Sequence, residues 1–274
     1  MTKQKLLLCA LAALSLVATP LLASAATRLS DQEVKALLES IENKRSAFEG
    51  SLDDTLKNST IKTQRGEIKT NEFFDDLQDQ VKRTRERFDA DYSASSEVLA
   101  LLQLAARLDT WATSQPPGFR GSQQWTPLAA DFRRLAAAYN TTLLGIVQQG
   151  GSDQARRVND AELATAAATV DKNLDAFQKA YASALTANTS LTPENRQSAI
   201  QNVDAMKTSA KALSSALEKK QKGESEADAL MKANAAMIAT TLKLPPDTAA
   251  NAAWTPVRND LVKIALAYEA TTTR

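Results

Sequence analysis

The stretch that decides the fold is Trp125-Thr126-Pro127-Leu128, continuing through Asp131-Phe132, Leu135-Ala136 and Ala138-Tyr139. It is written a second time as Trp254-Thr255-Pro256-Val257, Asp260-Leu261, Ile264-Ala265 and Ala267-Tyr268. The offset is 129 residues, and it extends well beyond this segment. It pairs Pro116-Pro117 with Pro245-Pro246, Asp75 with Asp204, Phe48 with Phe177, Asp31 with Asp160 and Glu33 with Glu162. Leu29–Tyr139 lies on Val158–Tyr268 without a gap, with 23 identities, and many other pairs are apolar on apolar (Val34/Leu163, Ile41/Val170, Leu77/Met206). Composition alone does not hold one register over that length. The reading is a tandem duplication.

Each copy carries helical signals. In the first, Ser30 followed by Glu33 makes a capping box. Val34, Leu37, Leu38, Ile41, Phe48, Leu52 and Leu56 then recur at steps of three, four and seven, a single stripe on a helix. Lys57 to Lys69, with Gly66, reads as a frayed end and a loop. A second helix is expected over Asn71–Tyr92 through Phe74, Leu77, Val81 and Phe88. A third is expected over Ser96–Thr113 through Val98, Leu101, Leu102, Ala105, Leu108 and Trp111, stopped by Pro116-Pro117. A fourth should start with Thr126 as N-cap and Pro127 in the first turn, and run to about Val147. Gln148 to Arg157, with Gly150-Gly151, reads as a linker. Asn159 caps the second copy, whose helices are expected over 160–187, 193–221, 225–242 and 256–270. The expected architecture is all-α: two tandem, duplicated four-helix bundles, residues 27–147 and 158–274, joined by a linker at 148–157.

The N-terminus reads Met1-Thr2-Lys3-Gln4-Lys5, then an apolar run from Leu6 to about Ala18, then Leu22-Ala23-Ser24-Ala25-Ala26. A basic start, a short apolar middle and a small-residue ending are the parts of a secretory signal peptide, residues 1–26. The apolar run is shorter than the ~20 residues a membrane span needs. Cleavage after Ala25 or Ala26 would remove Cys9, the one cysteine. The chain contains no histidine. The exported chain would then lack a disulfide, a thiolate nucleophile, the commonest general base and the commonest zinc ligand. A di-iron bundle of the Glu-x-x-His kind is excluded as well. The formal net charge of +1 gives no global field for nucleic acid or an anionic membrane. No catalytic residue, cofactor or metal site is expected, and no membrane segment after cleavage.

The candidate residues are aromatic: Trp125 with Tyr139, Trp254 with Tyr268, and Trp111, which occurs in one copy only. Two readings compete for them. Each Trp could close a bundle end like a hydrophobic staple, or each Trp–Tyr pair could line a ligand pocket. Asp131 and Asp260 read as acids near a helix start, favoured by the macrodipole. Lys82-Arg83-Thr84-Arg85-Glu86-Arg87 reads as a salt-bridged face, since Lys211-Ala212-Leu213-Ser214-Ser215-Ala216 stands in its place in the second copy.

The Trp-x-x-[Leu/Val]-x-x-Asp-[Phe/Leu]-x-[Arg/Lys]-[Leu/Ile]-Ala-x-Ala-Tyr helix resembles one in exported bacterial proteins of helical type. The resemblance covers only the fourth helix of each copy. It implies an envelope or secreted helical protein and brings no activity with it. Leu191-Thr192-Pro193-Glu194-Asn195 is similar to the Leu-Thr-x-x-Gln element of small helical periplasmic chaperones, departing at the last position. The functional expectation is therefore an exported, non-enzymatic interaction module whose partner is a protein, a peptide or an envelope component. A periplasmic chaperone, a carboxylate-based enzyme and a membrane-active bundle are the alternatives.

Overall fold

A computed structural model describes residues 28–63, 66–89, 92–143, 157–241 and 248–269. The signal-peptide reading, most of the linker, Ile146 and Val147, and Pro245-Pro246 lie outside the described residues. Within them the chain is all-α apart from one small hairpin. In order come α1 (Asp31–Ser51), α2 (Asp54–Lys57), β1 (Thr60–Thr63), β2 (Gly66–Lys69), α3 (Thr70–Arg87), α4 (Ser95–Ser114) and α5 (Ser122–Ala138). Then follow α6 (Asp160–Ala187), α7 (Pro193–Glu218), α8 (Glu224–Thr241) and α9 (Thr248–Glu269).

Local chemistry sets most of these boundaries. Ser30 and Asn159 each accept the N–H three residues on, while Glu33 and Glu162 reach back to the cap N–H. Thr192 caps α7 with Pro193 in its first turn, where the missing N–H costs nothing. α5 ends at Asn140, which takes a left-handed conformation (φ 58°). Its N–H bonds Ala137 O at 3.1 Å and the next N–H bonds Ala136 O at 3.0 Å. Lys220 ends α7 in the same way, with φ 59°. Both are the paired end-bonds of a Schellman motif, which satisfies carbonyls the helix itself leaves open.

Three expectations need correction. The polar stretch 57–69 is not a loop. Thr60–Thr63 pairs antiparallel with Gly66–Lys69, placing Ile61 opposite Ile68. Ile61 is buried, and Arg107 of α4 donates to Lys62 O at 3.1 Å, so tertiary contacts hold a hairpin too short to stand alone. The fourth helix does not begin at Thr126. α5 starts at Ser122 and α9 at Thr248, with Pro127 and Pro256 inside them. Each proline strips a partner from the carbonyl four residues earlier, Gln123 or Ala252, and both of those residues face water. Thr126 and Thr255 are not caps; their hydroxyls donate to Ser122 O and Asn251 O, at 3.2 and 3.0 Å. Finally, α5 stops at Ala138, well short of Val147.

Packing sorts the helices into two sets. α1 packs on α3 and α5, and α4 bridges α3 to α5. α6 packs on α7 and α9, and α8 bridges α7 to α9. The buried apolar residues follow suit. One cluster runs from Val34 to Leu143 and another from Leu163 to Tyr268. Every stripe residue of α4 expected from the sequence is buried, as are Phe74, Leu77 and Val81 on α3 and Phe88 just past its end.

Candidate functional site

The candidate aromatics lie at two ends of each set. Trp125 is buried, its ring 5.4 Å from Phe48. Trp254 meets Phe177 at 4.9 Å and is only half-buried. Neither stands before a helix cap: both lie inside helices, in the turn that precedes the proline, so neither is a staple. Trp111 is buried and donates its indole N–H to Ser59 Oγ at 3.2 Å. Ser59 sits at the hairpin's base, where Thr70 N–H also reaches Ser59 O at 2.9 Å.

Tyr139 and Tyr268 do not join their tryptophans. Fourteen residues of helix separate each pair by about 20 Å. Both phenols are buried and donate to the loop before the next-to-last long helix of their set. Tyr139 Oη bonds Ser93 O at 2.5 Å and Tyr268 Oη bonds Lys222 O at 2.7 Å. Burial pushes both hydroxyls above their ordinary value, so they remain donors across the physiological range. The loop that each tyrosine holds is left-handed at matched positions, Ala94 (φ 48°) and Gly223 (φ 68°). A Cβ at Gly223 would lie 2.6 Å from Leu213 Cδ1, which explains glycine there.

The most convergent buried charge lies between the sets. Arg28 is 5% exposed; its guanidinium pairs with Asp160 at 2.5 Å and donates to Val158 O at 3.0 Å. Arg157, also 5% exposed, pairs with Asp31 and donates to Leu29 O at 2.8 Å. Asp31 N–H donates to Asp160 Oδ2 and Asp160 N–H to Asp31 Oδ2, both at 3.0 Å. Thus each carboxylate rests on the first-turn amide of the opposite helix, where a helix dipole favours negative charge. The guanidinium of Arg28 lies 5.9 Å from the Tyr268 ring centre, and that of Arg157 lies 5.7 Å from Phe88. The arginine–aspartate pairs, the arginine-to-carbonyl bonds and the amide-to-carboxylate bonds each have a counterpart 129 residues away; the ring contacts do not. Arg157, read from the sequence as the last linker residue, is a member of this junction. The signal for it was present: extending the repeat alignment by one residue at its N-terminal end pairs Arg28 with Arg157.

The remaining charged candidates serve packing. Asp131 lies deep in α5, not near its start, so the dipole does not explain it. It is buried and accepts from Ser40 Oγ and Lys44 Nζ of α1, both at 2.6 Å. Asp260 takes Lys263 of its own helix at 2.7 Å. In the basic cluster of α3, Arg85 pairs with Glu42 and Arg87 with Glu97 at 3.9 Å. Among the described residues no three Asp, Glu, His or Cys side chains gather as a metal site would require. None of the described helices is long and apolar enough to cross a membrane. A shallow groove of about 410 Å³ lies between the end of α6 and the start of α7, with Leu185, Ile200, Arg196 and Asp204 on its walls. Compared with known protein families, curated proteins and solved structures, the chain shows no match.

Proposed function

We propose that the chain is an exported helical protein, built as two duplicated bundles after a cleaved signal peptide, that acts by binding rather than by catalysis. One observation carries the reading. The polar features that recur at the 129-residue offset are all structural bonds: tyrosine to loop carbonyl, aspartate to first-turn amide, arginine to opposite carbonyl. What the two halves share is a scaffold, and a scaffold kept in duplicate presents two related outer surfaces. A partner with repeated epitopes would gain avidity from both. The lack of histidine, and of cysteine once residues 1–26 are removed, supports binding over nucleophilic or acid–base chemistry.

Export is tested by expressing the full chain in a Gram-negative host and sequencing the N-terminus of the periplasmic product. Ala26 or Thr27 at the start is expected; an intact Met1 in the cytoplasm overturns export. Binding is tested by calorimetric titration of the exported chain with a partner recovered from envelope extract. Two equivalent sites per chain are expected, and a single site counts against the paired-surface reading.

A further inference from the structure

The junction between the two sets has the form of an isologous interface, in which the same patch on each side meets the other across a two-fold axis. Arg28, Leu29 and Asp31 offer a guanidinium, a carbonyl and a carboxylate beside a first-turn amide. Arg157, Val158 and Asp160 offer the same four groups, and each side gives three contacts to the other: one ion pair, one arginine-to-carbonyl bond and one amide-to-carboxylate bond. Such a surface is complete only when a second one closes it. Nothing in its chemistry requires that the second one belong to the same chain.

We propose that this junction is also a docking surface for a second copy of the chain, through reciprocal exchange of halves. In the exchanged dimer, residues 28–31 of one chain meet residues 157–160 of its partner, and the converse pair closes the second junction. The dimer contains two junctions for two chains, as do two closed monomers. The bonding is therefore balanced, and the choice rests on connection. The two halves are joined on one chain, and such a connection supplies an effective concentration of about millimolar, so the closed monomer prevails in dilute solution. The two apolar clusters are separate, so exchange leaves each core undisturbed. Charge sets the match: each buried guanidinium, Arg28 or Arg157, faces the aspartate of the opposite helix start, Asp160 or Asp31. The inference does not depend on export or on the identity of any binding partner.

The test uses two full chains with opposite lesions. Arg28→Asp sets a carboxylate against Asp160. Asp160→Arg sets a guanidinium against Arg28. Each variant alone has a broken junction and should sediment as a monomer with wild-type helicity, because neither residue lies in a core. Unfolded together and refolded as a mixture, they can exchange halves. One junction of the mixed dimer is then wild-type throughout, and the other pairs Asp with Arg in reversed order. The expected result is a one-to-one heterodimer of twice the monomer mass, isolated by tandem affinity tags. The chain carrying both substitutions regains opposite charges internally and should return to a compact monomer. A mixture that stays monomeric while both variants are helical overturns the proposal. So does a single variant that remains as compact as the wild type, since the charges would then not be holding the junction.

Discussion

Residues 50–69 and 179–198 stand 129 residues apart and are built differently. In the first, α1 breaks after Gly50-Ser51, Asp53 caps the single turn of α2, and a hairpin follows. In the second, Ala180 to Ala187 carries α6 on without interruption. Glycine and a new cap stop one helix, and a run of strong helix formers continues the other. The aromatic packing differs accordingly. Phe48 is ringed by Phe74, Trp111, Phe119 and Trp125, with ring centres 5.4–6.5 Å away. Phe177 has Tyr181 stacked at 5.0 Å and Trp254 at 4.9 Å. In the sequence, the residues 129 positions after Trp111 and Phe119 are Thr240 and Thr248. The same 129-residue spacing thus joins a stretch where the first long helix gives way to a hairpin and one where the helix simply continues.

The largest expected effect separates the two tryptophans. Trp125→Ala should cost about 3–5 kcal/mol, the usual loss for a buried aromatic. Trp254→Ala should cost about half as much, because its ring is already part-exposed. Urea unfolding followed by the remaining tryptophans measures both; equal losses would break the comparison. The next contrast is at Gly121 and Ala250. Gly121 has φ +105°, and a Cβ there would sit 2.8 Å from Ser51 Oγ and 3.0 Å from Leu52 Cδ2, where α1 ends. Gly121→Ala should cost roughly 1–3 kcal/mol of backbone strain and contact. Ala250→Gly, inside α9, should cost only about 0.5–1 kcal/mol by helix propensity. Both are read as shifts in melting temperature.

Trp111→Phe isolates the hairpin's tie. It keeps most of the packing and removes the N–H that reaches Ser59, a loss of about 1 kcal/mol. Amide exchange of residues 60–69 should quicken while that of α6 and α7 does not change. The smallest effect is at Glu33, whose carboxylate binds Lys222 at 2.8 Å, whereas Glu162 has Ser93 at the matched position. Burial raises the Glu33 carboxyl, but hydrogen bonds from Lys222 and Ser30 outweigh it and hold the group below its ordinary value of 4.5. A depressed acid stabilises the fold above its unfolded value and loses that contribution as the pH falls through the folded one. Glu33→Gln should therefore cost about 0.5 kcal/mol at neutral pH, given the exposure of the pair. Well below pH 4.5 variant and wild type should converge. Glu162→Gln should cost less at neutral pH, because Ser93 stands at the position matched to Lys222.

Features set within a few residues were legible in the sequence. The Ser30–Glu33 and Asn159–Glu162 boxes, the Thr192-Pro193 start and the buried stripes of α3 and α4 are local, and the side chains that make them are adjacent on the chain. The hairpin was not, because Thr60-Ile61-Lys62-Thr63 is too short to signal a strand and owes its place to Ile61, Arg107 and Trp111. The start of α5 was misplaced because Thr126-Pro127 imitates a cap, while the true start relies on Gly121 passing close to Ser51. Spacing alone puts Tyr139 and Tyr268 fourteen residues from a tryptophan and says nothing of the loop carbonyls of Ser93 and Lys222 that they bond, 46 residues away in the chain. The junction needed two arginines 129 residues apart to be read as one element.

The central claim is that the Arg28–Asp160 and Arg157–Asp31 pairs are the main ties between two separately cored helical sets, with Glu33–Lys222 a lesser, more exposed one. Small-angle X-ray scattering of residues 27–274 and of their Arg28→Ala, Arg157→Ala double variant tests it most directly. The account predicts a larger radius of gyration for the variant, with far-ultraviolet helicity unchanged. Superimposable scattering curves from the two proteins would contradict it.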